Sequence, residues 1–163
     1  MNTKEAIRAT MGMSSMVITK YLEDLSDADL MKRPGPGCNH LAWQLGHLIS
    51  SEAQLLAMAV PGTTVELPAG FAEKHSKEKT GDDNPANFYT KQQYLDEFEK
   101  VHAGTNAVID KLSDADLDQP SPENFRSMFP TVGHVVILIA THGLMHAGQF
   151  VPVRRALGKP VVI

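Results

Sequence analysis

TVGHVVILIATHGLMHAGQFVPVRRAL, residues 131–157, decides the fold. Val132, Val135, Ile139, His142, His146, Gln149 and Val153 recur every three or four residues, the spacing of one helix face turned toward a core. Thr131 after Pro130 is a candidate cap, and Gly158 followed by Pro160 ends the helix. Outward from it, three more stretches carry helical periodicity, at about 3–24, 39–60 and 91–112. No stretch alternates like a strand. In the first, Ile7, Met11, Val17, Ile18 and Leu22 form the apolar face. Asn39 is a candidate cap for the second, which Pro61-Gly62 stops. A polar stretch from 61 to 89, with Pro68, Gly70, Gly81 and Pro85, reads as a long loop, and loops of that length are often functional.

The halves echo each other. Leu25-Ser-Asp-Ala-Asp-Leu30 recurs as Leu112-Ser-Asp-Ala-Asp-Leu117, and Gly46-His47 recurs at the same offset as Gly133-His134. The reading is a duplicated unit of helix, Ser/Asp-capped turn, Pro-containing loop and helix. Two such hairpins joined by a crossover make an all-α four-helix bundle, one domain over residues 1–163.

Composition narrows the function classes. The chain has 163 residues, 42% hydrophobic and 21% charged, with a net charge of -4. No basic stripe is present to neutralise phosphates, so no nucleic-acid partner is expected. The run 135–140 is too short to span a bilayer, and the N-terminus lacks the apolar segment of a signal peptide. One cysteine, Cys38, excludes an intrachain disulfide and fits a reducing cytoplasm.

His142 and His146 carry the chemistry. Four residues advance a helix by roughly 400°, so the two rings lie a turn apart on one face and can bind one cation. Buried without partners, each would cost roughly a few kcal/mol. Hydrogen-bonded core histidines are the alternative. Gly143, Ala147 and Gly148 strip bulk beside the pair, for tight packing or for an open coordination position. A third ligand has to come from another helix. His47 is the leading candidate because Gly46 beside it permits close approach. Yet the stripe Leu41, Leu45, Leu48, Leu55 and Ala59 is centred away from it, leaving His47 on a flank with Gln44, Ser51 and Met58. The wheel alone does not decide.

Trp43-Gln-Leu-Gly-His47-Leu48, Thr141-His-Gly-Leu-Met-His-Ala-Gly-Gln149 and the two LSDADL turns, in this order and spacing, resemble the DinB-like bundle proteins. That family includes bacterial thiol S-transferases and proteins described as metal-dependent hydrolases. The resemblance covers essentially the whole chain. It implies a metal site of one histidine from the second helix and the H-x-x-x-H pair of the fourth, here His47, His142 and His146. A divalent cation, zinc or nickel, on three neutral imidazoles keeps an open position. The chemistry implied is thiol transfer, with a low-molecular-weight thiol as substrate, or hydrolysis of a small molecule. A non-catalytic bundle that dimerises through spare apolar faces is the competing class.

Other residues are weighed beside these. Glu52, a carboxylate on an apolar face, is the candidate catalytic base or a group that orients a histidine. Gln149, one turn past His146, and His134, the echo of His47, are candidate supports for the site, with His134 also read as structural or capping. Cys38 is a remote candidate fourth ligand. His75 and His102 read as surface residues. Trp43, Met58, Met128 and Met145 read as core filler.

Overall fold

The wheel of residues 131–157 becomes α7, Val132–Ala156, and the other long helices are α1 (Thr3–Leu22), α3 (Leu41–Ala59) and α5 (Lys91–Lys111). Four-residue turns form α2 (Asp27–Leu30), α4 (Phe71–Lys74) and α6 (Asp114–Leu117). The computed structural model describes residues 1–163. All regular structure is helical apart from one isolated bridge between Pro120 and Thr131. Expected and observed helix ends agree to within two residues.

Local sequence explains the ends. α1 starts with a capping box between Asn2 and Glu5, and α5 with one between Thr90 and Gln93. The LSDADL repeat closes on itself twice. Ser26 and Ser113 have the same backbone angles (φ -87°, ψ 168°), and each cap serine exchanges bonds with the aspartate three residues on. α3 departs from expectation at its start. His40, not Asn39, is the cap, its Nδ1 accepting from the Trp43 amide, while the Asn39 carbonyl accepts from Gln44 Nε2.

The long helices run up, down, down, up. Arg8 near the start of α1 meets Asp110 near the end of α5, whereas Tyr21 in the last turn of α1 and Asp24 just past it meet Arg154 near the end of α7. α7 packs along α1 and α3, and α3 also packs along α5. The two helices of each repeat therefore lie across the bundle from one another rather than side by side. Because α3 and α5 are parallel neighbours, residues 60–90 must return along a 19-residue helix, about 28 Å. That geometry is why the crossover is long.

Two apolar clusters fill the bundle. One gathers Ile18, Leu45, Phe98 and Phe150, the other Met11, Leu56, Ile109 and Ile139. Arg154 is fully buried near one end, where Asp24 and the Tyr21 and Pro160 carbonyls take its donors. α7 is long and apolar enough to cross a membrane by length and composition, unlike the shorter run read from sequence. Here it is the helix against which α1 and α3 pack. Met128 and Met145, expected in the core, are 74% and 58% exposed. Trp43 is buried as expected, with its indole N–H on the Ser76 carbonyl.

Candidate metal centre

His47 of α3 and His142 and His146 of α7 come together where the antiparallel helices α3 and α7 cross. The ring centroids stand 5.4, 5.4 and 5.0 Å apart, and one nitrogen from each ring lies within 4.8 Å of the other two. All three side chains are half-buried. The flank of α3 that holds His47 is the face turned to α7, and its companions on that flank hold the site. Gln44, fully buried, donates from Nε2 to the Asn39 carbonyl, which turns Oε1 toward His146 Nδ1 at 2.9 Å. Nδ1 of His146 must then carry the proton, leaving Nε2 a free lone pair. Ser51 Oγ stands 3.4 Å from His47 Nδ1, and Trp43 stacks on the His47 ring at 4.9 Å. Gln44 is the residue at the candidate site that the wheel grouped with His47 without assigning it a task.

Burial keeps these rings neutral. His47 falls to about 4 by desolvation, reinforced by His142 and by Lys77 at the crossover. His146 falls to about 4 for the same first reason, reinforced by His142 and His47. His142 is lowered by burial and held back by the Glu52 charge. Neutral imidazoles at neutral pH are the donor form that a divalent cation requires, and the nitrogens fit a small cation. A cleft of about 300 Å³ opens beside His142, lined by Ser51, Gln54, Leu55, Met58 and Phe125.

The remaining candidates fall elsewhere. Gln149 is exposed, because positions 143, 147 and 150 carry the buried seam of α7 away from it. His134 is exposed at the start of α7, its Nδ1 2.8 Å from Thr131 Oγ1, a local capping contact. Cys38 is half-exposed in the loop before α3 and is not one of the clustered ligands. Glu52 faces inward to His102 rather than into the cleft.

Two histidines read as surface residues are interior. His75 is 2% exposed, with Nδ1 2.7 Å from the Phe71 carbonyl and Nε2 2.8 Å from Tyr94 Oη. It lies flat on α3 at Gly46, where a Cβ would collide with its ring. Gly46 therefore admits the crossover, not a second long helix. Gly143 similarly admits Ser14 of α1. His102 stacks on Phe98 and bonds Glu52.

The sequence profile of the DinB superfamily matches residues 14–150, which span both halves of the site. The chain belongs to the DinB superfamily. A crystal structure of a conserved protein from Enterococcus faecalis shares this DinB fold, with a TM-score of 0.76 over 98% of this chain and 99% of that one at 19% identity. No curated protein matches the chain.

Proposed function

We propose that this DinB protein is a divalent-metal-dependent enzyme, with His47, His142 and His146 as the ligands and a small thiol or water as the nucleophile. The observation that carries the reading is the set of three neutral imidazoles whose ligand nitrogens lie within 4.8 Å of one another. Zinc or nickel suits that donor set. A divalent cation there supplies positive charge that lowers the pKa of a thiol or water at its open position.

The chain's own residues do the rest. Gln44 fixes the His146 tautomer, Ser51 meets the outer nitrogen of His47, and Trp43 holds its ring plane. Leu55, Met58 and Phe125 give the cleft an apolar wall suited to an uncharged electrophile, while Ser51 and Gln54 offer polar contacts. Thiol transfer is favoured over hydrolysis by the resemblance of the two histidine motifs to those of the family's thiol S-transferases. Its single free cysteine fits a reducing cytoplasm, where small thiols are abundant.

The test follows thiol loss in the zinc-reconstituted protein with a small thiol and an aromatic electrophile. Turnover abolished by a chelator and by His142→Ala, with helicity intact, is the expected result. Turnover that survives both would overturn the reading.

A further inference from the structure

Between the apolar clusters a polar layer crosses the bundle. Ser14 of α1, Glu52 of α3, His102 of α5 and His142 of α7 line a small cavity of about 10 Å³. Glu52 is 6% exposed. Its Oε2 accepts from His102 Nδ1 at 3.3 Å, and His102 Nε2 stands 3.2 Å from the Met11 carbonyl. Both ring nitrogens of His102 thus face acceptors, which only the imidazolium satisfies fully. Burial opposes that charge, but the Glu52 hydrogen bond and charge and the Met11 carbonyl together raise the His102 pKa.

Two groups are left over. Oε1 of Glu52 stands the same 3.3 Å from His102 Nδ1 as Oε2 does, but the single N–H there bonds Oε2, which leaves Oε1 buried in ion-pair contact with no hydrogen bond of its own. Across the same cavity His142, unlike His47 and His146, has no protein hydrogen-bond partner. We propose that Glu52, braced by His102 and the Met11 carbonyl, positions His142 through one water held in this cavity. The volume is at the lower limit for one water, and Glu52, Ser14 and a His142 ring N–H supply the two to four polar partners such a water needs. Any side chain at Gly143 would press Ser14 Oγ out of place, so the glycine preserves the space.

The bridge holds the proton on the His142 nitrogen that faces the cavity and leaves the other nitrogen's lone pair free. Glu52 is then a positioning residue, not a base that touches substrate. The consequence for metal binding rests on His142 being a ligand; the hydrogen-bonded bridge does not.

Nitrogen-15 spectra of histidine-labelled, metal-free protein read the bridge, and chelator competition reads zinc affinity. The expected result is one neutral His142 tautomer in the wild type, a mixture in Glu52→Gln, and zinc affinity lowered about 10- to 100-fold in that variant. Both tautomers in the wild type, or an unchanged tautomer and affinity in Glu52→Gln, would overturn the proposal. If wild-type zinc affinity does not depend on His142, the metal reading fails while the tautomer still decides this one. Should Glu52→Gln not fold, diffraction from the wild-type chain decides. A water within hydrogen-bond reach of Glu52 Oε1 and a His142 ring nitrogen supports the bridge, and a cavity without one sinks it.

Discussion

The chain holds its histidines in two opposite ways. At His75 both ring nitrogens are spoken for, by the Phe71 carbonyl and the Tyr94 hydroxyl, and the ring fills the space that Gly46 leaves. At the triad, three half-buried rings keep nitrogens that no protein group claims, and these gather within 4.8 Å. His75 and two members of the triad, His47 and His146, share a pKa near 4, for which burial is the first cause. The pKa therefore does not separate a structural histidine from a candidate ligand. What separates them is whether the second nitrogen has a partner.

The largest expected effect breaks the comparison from the metal side. His142→Ala should lower zinc affinity about 1,000-fold or more, about 4 kcal/mol, with helicity unchanged, as read by chelator competition and circular dichroism. From the other side, His75→Ala should cost about 3 kcal/mol of stability in urea unfolding, because it opens a cavity and leaves the buried Tyr94 O–H donor without its acceptor. Folded His75→Ala protein should still bind zinc with wild-type stoichiometry.

Acid should act on both regions at once in the metal-free protein. For His75 the folded pKa is about 4 against an ordinary 6.5. Above pH 6.5 neither state is protonated. As pH falls from 6.5 toward 4 the unfolded chain takes a proton that the folded chain resists, so stability falls, by up to about 3 kcal/mol from this residue. His47 and His146 lose stability over the same window. Unfolding measured at pH 7 and pH 4.5 checks the sign, and a protein more stable at pH 4.5 would contradict it.

A smaller effect tests the support of the site. Gln44→Ala frees the His146 tautomer and should lower zinc affinity about 10-fold, within the range seen when such partners are removed. Smallest of all, His134→Ala removes an exposed contact with Thr131 and should change stability by about 0.5 kcal/mol or less, with no effect on zinc affinity.

Much of this was legible in the residues. Periodicity located all four long helices, and the LSDADL repeat matches the two identically capped turns. The H-x-x-x-H spacing alone put His142 and His146 a turn apart on α7. His47 was harder, because its own helix buries a leucine stripe on a different face. Only the antiparallel neighbour α7 makes the Gln44–His47–Ser51 flank an inner surface. His75 was invisible for a related reason. It caps the four-residue α4 in a polar crossover, and the glycine that receives it lies in α3. His102 did carry a signal, one helical turn after Phe98 on the buried side of α5. Gln149 was misplaced because the seam read from sequence passes through it, whereas the buried face of α7 runs through Ala147 and Phe150 before it rejoins that seam at Val153.

Native mass spectrometry of the zinc-supplemented protein tests the centre of this account most directly. One zinc per wild-type chain and per His75→Ala chain, and none in the variant with His47, His142 and His146 all replaced by alanine, is the predicted result. Zinc retained by the triple variant, or none bound by the wild type, would contradict it.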